Sequence, residues 1–193
     1  MGNQIGCVLL AGGLARRMGG GDKGLKTVQG KPIIERVLET ITPQVGPLVI
    51  NANGDGARFA HLGHEVVGDS VEGFVGPLAG VLAGMDHLVG QCEWILSVPT
   101  DTPFLPDDLV TRLKEPLDEG NKIVMAHSGG FDHPVVALWS MDLREELRKA
   151  LIEEEMRKLK QWIKRYPHAS VEWETDPLDP FFNANRPEDI AGL

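Results

Sequence analysis

Residues 5–26 read IGCVLLAGGLARRMGGGDKGLK, and the passage from apolar run to glycine-rich loop decides how the rest is read. Ile5 to Leu10 is uninterrupted apolar sequence, the pattern of a strand buried on both faces, and it stops at Ala11-Gly12-Gly13. Beyond it, Gly12, Gly13, Gly19, Gly20, Gly21 and Gly24 interleave with Arg16, Arg17, Lys23 and Lys26, and Asp22 is the one acid. Ordering so much glycine is entropically costly, and clustered cations repel one another. A phosphate chain lying among them answers both objections, since side-chain-free backbone amides approach phosphates closely and Arg or Lys neutralises the charge. The stretch is neither a P-loop, which ends in G-K-[ST], nor the dinucleotide pattern G-x-G-x-x-G. The competing reading is an ordinary surface turn.

Working outward, strands alternate with helices. The segment IIERVLETI after Gly30-Lys31-Pro32 spaces Ile33, Ile34, Val37, Leu38 and Ile41 as a helix, with the proline in its first turn. Residues 47–51 and 64–69 read as strands joined by a short helical link over 56–62. A helix beginning near Pro77 places Leu78, Val81, Leu82, Met85 and Leu88 on one face. Trp94 to Val98 is the next buried strand, followed by a helix over 106–113, a strand over 122–126 and an extended HPVVALW. From Asp142 to Tyr166 the apolar stripe slips, with Leu143, Leu147 and Leu151 on one face and Ile152, Met156, Leu159 and Ile163 on another. The slip predicts two helices divided near Glu153-Glu154-Glu155, with Trp162 and Trp173 packing them onto the sheet. A strand over 169–173 and a short helix after Pro187 close the chain. The expectation is an α/β fold, three-layered and Rossmann-like, with a mostly parallel central sheet, forming a single domain over residues 1–193.

The 193 residues are 42% hydrophobic, enough for one sizeable core, and carry a formal net charge of -9. An acidic global field disfavours nucleic acid and anionic membranes as partners. No apolar run approaches a membrane span and no signal-peptide layout opens the chain, so cytoplasm is the expected compartment. Cys7 and Cys92 fit no metal-ligand or redox spacing and are read as reduced thiols. The histidines at 61, 64, 87, 127 and 168 likewise lack ligand spacing and are read as surface or packing residues, whereas His133 is read either as a ligand to a substrate phosphate or as a turn residue.

Asp101 follows directly on the strand at 94–98, and in open α/β sheets ligands bind beyond the carboxyl ends of strands. A carboxylate there can hold Mg²⁺ together with phosphates and water, although helix capping is an equal claim on it. Asp107 and Asp108 are assigned to the cap or first turn of the helix that follows.

Taken in order, LLAGGLARRMGGGDKGL, GKPIIERV, VINAN, GDSVEGFVGPLAGVLAG, PTDTPFLP, DHPVVALW and FFNANRPEDI resemble the successive motifs of the molybdenum cofactor guanylyltransferases. That resemblance implies a nucleotidyltransferase that moves GMP from GTP to the phosphate of molybdenum-molybdopterin, with Mg²⁺ as cofactor. It implies that Leu10, Ala11, Gly12 and Gly13 meet the nucleotide, that Lys23 binds its phosphates, and that Asn51 and Asp69 take part in nucleotide recognition; of the two arginines beside the loop, Arg16 or Arg17 stabilises the triphosphate, with Arg17 taken as the catalytic candidate. By the same likeness Asp101 holds the metal and Asn183 and Asn185 face the pterin. Transient contacts with other cofactor-biosynthesis proteins or acceptor molybdoenzymes follow from it too. The sequence departs from the pattern in three places. Thr100 stands where cysteine is usual, Arg186 where threonine is usual, and glutamates occupy 153–155 where glycine and basic residues are common. Two rivals remain open at this point: a cytidylyltransferase on the same pterin, and a nucleotide-binding adaptor without turnover.

Overall fold

The computed structural model describes residues 5–12, 25–28, 30–73 and 76–184. Gly13, Arg16, Arg17, Lys23, Asn185, Arg186 and the closing helix expected after Pro187 lie outside the described residues. In chain order the elements are β1 (Ile5–Leu10), a small hairpin of β2 (Thr27–Val28) and β3 (Lys31–Pro32), α1 (Ile33–Ile41), β4 (Leu48–Asn51), a 3₁₀ turn (Gly56–Leu62) and β5 (Glu65–Val67). There follow α2 (Pro77–His87), β6 (Trp94–Pro99), α3 (Leu109–Lys114), β7 (Ile123–Ser128), β8 (Phe131–Ser140), α4 (Arg144–Glu154), α5 (Leu159–Ile163) and β9 (His168–Trp173).

Seven strands form the central sheet in the order β5-β4-β1-β6-β8-β7-β9, all running one way except β8. The chain steps from β1 outward to β4 and β5, then returns through α2 to place β6 on the other side of β1. That reversal makes the carboxyl edge between β1 and β6 the topological switch point, where a ligand crevice opens in sheets of this kind.

β1 is buried on both faces, and successive residues serve different cores. Cys7 and Leu9 pack with α1 and α3, whereas Val8 packs with α2 and α4. On α1, Ile33, Ile34, Val37, Leu38 and Ile41 are all buried, each such side chain contributing about 1.5–3 kcal/mol. Pro32 stands one residue earlier than expected, as the N-cap rather than in the first turn. Arg36 of α1 donates from Nε and Nη2 to the Val28 carbonyl (3.1 and 2.9 Å), fastening the hairpin that follows the glycine loop in sequence. The helix α2 is buried nearly all round, from Leu78 to Met85.

Two expectations are corrected, and a third holds in position with a different partner. Trp162 does pack α5 onto the sheet, beside Ile163 and in the cluster that holds Trp139, but Trp173 lies on the opposite face. There it meets Phe181 edge-on (5.2 Å) and Arg112 over its ring (4.3 Å). The two helices do divide near Glu155, which takes φ 50 as the C-cap of α4, but Ile152 is exposed rather than part of the second stripe. Asp108 sits at the N-cap of α3 without a capping bond, because its Oδ1 accepts from Trp173 Nε1 (3.1 Å) instead. Both cysteines are free thiols, and burial pushes the Cys7 thiol far above its ordinary range.

Candidate active site

The lone antiparallel strand shapes the crevice. Pairing of β6 with β8 runs from Trp94–Ser140 to Ser97–Ala137, and the β7–β8 ladder jumps from Met125–Ala137 to Ala126–His133. Residues 134–136 therefore leave the ladder as a bulge, a place where Pro134, lacking an N–H, does no harm. Ser97 holds the neck of the bulge, donating from Oγ to the Val135 carbonyl (2.7 Å) while accepting from Trp139 Nε1 (2.9 Å). The parting of β6 and β8 leaves a cavity of about 710 Å³ whose floor runs from Leu10 and Gly12 through Pro99 and Asp101 to residues 133–136.

At one end lies an amide-clamped carboxylate. Asn51, the last residue of β4, is buried and donates from Nδ2 to Asp69 Oδ1 (3.0 Å) and to the Val67 carbonyl (3.3 Å). Asn53 donates to the other oxygen, Asp69 Oδ2 (2.6 Å), and accepts from the Asp69 N–H (2.9 Å). Both oxygens thus take one amide each while the carboxylate still lines the cavity. Gly80 of α2 makes room for this arrangement. A Cβ there would lie 2.4 Å from Asn51 Oδ1 and 2.5 Å from Leu10 Cδ2.

The opposite wall carries a second set. A two-residue turn, Gly129 (φ 54) and Gly130 (φ 82), joins β7 to β8 and sets His127 opposite Asp132. His127 Nδ1–H donates to Asp132 Oδ1 (2.8 Å) and so does Ser170 Oγ from β9 (2.9 Å). The bond from His127 does most to hold the Asp132 carboxyl below the usual carboxylate range. Next to it, Ser128 Oγ–H donates to Asp179 Oδ1 (2.8 Å) and accepts from His133 Nε2–H (2.7 Å). His133 leans on the Phe181 ring (4.9 Å), and burial lowers its pKa below that of free histidine.

Of the residues expected at a site, Leu10, Gly12, Asn51, Asp69, Asp101 and Asn183 line this one cavity. Ala11 is buried beneath it, donating its N–H to the Asn51 carbonyl (2.8 Å). Asn183 arrives because the neighbouring Ala184 N–H donates to the Asp101 carbonyl (2.9 Å), stitching the FFNAN segment to the end of β6. Asp101 is not a helix cap, for the next helix begins only at Leu109. Asp132, Thr102 and Phe181 also line the cavity and were not singled out in the sequence. For Asp132 the signal was the position directly before His133 in DHPVVALW. His127, read there as surface or packing, is half-buried behind Asp132.

Comparison with known proteins places the chain in a family. The family pattern of the MobA-like NTP transferase domain matches residues 7–170. A molybdenum cofactor guanylyltransferase of Rhodopseudomonas palustris (strain BisB5) is 53% identical over 188 residues, covering 95% of this chain and 90% of the relative. One from Nitrobacter hamburgensis is 52% identical over the same shares. The crystal structure of molybdopterin-guanine dinucleotide biosynthesis protein A from Archaeoglobus fulgidus superposes with a TM-score of 0.74 at 25% identity, over 96% of this chain and 95% of that one. With a switch-point crevice and this extent of likeness, the chain belongs to the MobA-like NTP transferases, among the molybdenum cofactor guanylyltransferases.

Proposed function

We propose that the protein transfers GMP from GTP to the terminal phosphate of molybdenum-molybdopterin, giving molybdopterin guanine dinucleotide and pyrophosphate. The observation that carries this reading is the convergence of residues from six separated motifs on one cavity at the switch point. An oxygen of the pterin's phosphate attacks the α-phosphorus of GTP, the α–β bridging P–O bond breaks, and its electron pair leaves with pyrophosphate. The attacking phosphate is already ionised at neutral pH, so the protein's work is alignment and charge compensation.

The Asp69 carboxylate, clamped by Asn51 and Asn53, suits the N1–H and 2-amino donors of guanine. Main-chain groups of Leu10, Ala11, Gly12 and Gly13 flank the nucleotide, with Arg17 and Lys23 on its phosphates and Asn183 and Asn185 toward the pterin. Asp101 is the residue that would hold Mg²⁺. Among the described residues no group of three or more His, Cys, Asp or Glu side chains forms a cage, and the Asp101 carboxylate on the cavity wall suits a Mg²⁺ that takes its other ligands from phosphates and water. The ion would supply charge neutralisation on the triphosphate.

The same reading takes residues 1–193 as one nucleotidyltransferase domain working in the cytoplasm, with transient contacts to other cofactor-biosynthesis proteins or acceptor molybdoenzymes for hand-over. No helix among the described residues is long and apolar enough to cross a membrane. The test is GMP transfer and pyrophosphate release from Mg²⁺-GTP, with matched CTP and ATP reactions, with and without molybdenum-loaded molybdopterin. Turnover that needs the pterin and is confined to GTP is the expected result. Turnover with CTP would move the protein to the cytidylyl rival, and GTP binding without turnover would make it an adaptor.

A further inference from the structure

The cavity has two clamped carboxylates, one at each end. Asp69 is bonded to Asn51 on β4, and Asp132 sits on β8, three strands away across β1 and β6. At strand spacing that separation is roughly 14 Å, more than one heterocycle spans and suited to the two ends of a dinucleotide. A pterin carries the same hydrogen-bonding edge as guanine, a ring N–H beside a 2-amino group, next to a ring carbonyl. A carboxylate accepts from both donors of such an edge at once, whereas an amide side chain offers only one acceptor oxygen.

Resting on the guanylyltransferase reading, we infer that Asp132 is a specificity-determining residue for the acceptor substrate, its carboxylate receiving the ring N–H and 2-amino group of the pterin. Three features carry this. Both hydrogen bonds that Asp132 receives among the described residues, from His127 and from Ser170, end on Oδ1, and 38% of its side chain remains open. The carboxylate therefore has a fixed plane and lone pairs still available toward the cavity that it lines. Its partners also keep it ionised, as an acceptor-only group must be. Beside it, Pro134 and Phe181 give the wall an apolar surface against which a flat heterocycle can lie. Asp69 and Asp132 would then read the same chemical edge at opposite ends of the product, which explains why a cavity for an anionic substrate keeps an open carboxylate on its acceptor wall.

The experiment has two arms. In the first, wild-type enzyme turning over GTP and molybdenum-molybdopterin is inhibited competitively by the phosphate ester of 6-hydroxymethylpterin or by its lumazine counterpart, in which an oxo group replaces the 2-amino group. The pterin ester is expected to inhibit at least tenfold more tightly than the lumazine, and equal inhibition would overturn the assignment without any variant. In the second, Asp132→Asn should raise the KM for molybdenum-molybdopterin about tenfold or more. The KM for GTP should stay within twofold, and the preference for pterin over lumazine should disappear. Ser170→Ala, which keeps the carboxylate, should retain that preference. An Asp132→Asn enzyme with unchanged pterin KM and intact discrimination would refute the inference while leaving the transferase reading standing. Failure of the wild type to transfer GMP at all would instead remove the reading beneath it.

Discussion

The two walls of the cavity hold their carboxylates by different means. Asp69 takes its partners from the neighbouring parallel strand, where Asn51 and Asn53 are two residues apart at the end of β4. Asp132 takes His127 from across a two-residue turn and Ser170 from β9, 38 residues further along the chain. The parallel wall is thus made of strand ends, which a β-α-β succession sets side by side automatically. The antiparallel wall depends on one bulge and one reversed strand, so its geometry rests on the register of β8 against β7 and β6.

The largest expected effect lies between the walls. Asp101→Ala should lower kcat for GMP transfer by a factor on the order of 100 to 1000, the range seen when one charge-stabilising group is removed from a reacting centre. Its main-chain link to Ala184 survives the substitution, so loss of turnover would not follow from a loosened FFNAN segment. Pyrophosphate release is the readout, and an unchanged kcat would end the metal assignment.

Next comes the parallel wall itself. Asp69→Asn should reduce kcat/KM for GTP by about 10- to 100-fold, the equivalent of one hydrogen bond to a charged group. The pterin KM should hold, and competition between GTP and ATP should show the preference for guanine narrowing. A rise in KM confined to the pterin would exchange the roles of the two walls.

How much of this was legible follows the same division. The apolar run at 5–10, the helix at 33–41 and the carboxylate just past the strand at 94–98 are local patterns, because a parallel strand buried on both faces writes its position into consecutive residues. Asp101 is legible for that reason, whereas Leu10, Asn51 and Asp69 are reached only through the family likeness that runs in order along the chain. Their meeting in one cavity is consistent with the expected roles, which the variants above are designed to test. HPVVALW reads as extended but alternates poorly, since a bulge of residues 134–136 breaks the period of two that marks a strand. Asp132, His127 and Ser170 are far too scattered to form a motif, and only the pairing of β7 with both neighbours assembles them. Trp173 was placed on the wrong face for a related reason. Parity along β9 could be counted, but which face held α4 and α5 could not.

A smaller effect should come from the helix beneath the parallel wall. Gly80→Ala inserts a methyl into space held by Asn51 and Leu10, and overpacking of this sort costs about 1–3 kcal/mol. Melting temperature should drop by several degrees, with a raised KM for GTP as Asn51 yields. A loss of stability with the GTP KM unchanged would show that Asn51 and Asp69 keep their clamp when α2 shifts.

The smallest expected effect belongs to the antiparallel wall and is read through pH. Burial lowers the His133 pKa, opposed by the nearby Asp179 and Asp132 charges and assisted by His127. The folded protein therefore prefers the neutral ring, whose Nε2–H is engaged with Ser128. As pH falls through 6.5, the unfolded chain takes up the proton first, so the unfolded state binds more protons than the folded one and stability decreases. Above 6.5 the contribution is complete, and below the depressed folded value no further loss accrues. Because His133 is only half-buried, solvent screening keeps the slope shallow. Urea midpoints taken between pH 8 and 5 on wild type and His133→Gln should show the wild type losing ground to the variant as pH falls through that window, with a constant offset on its alkaline side. Parallel curves would mean that the ring titrates alike folded and unfolded, and that Asp179 and Asp132 offset its burial completely.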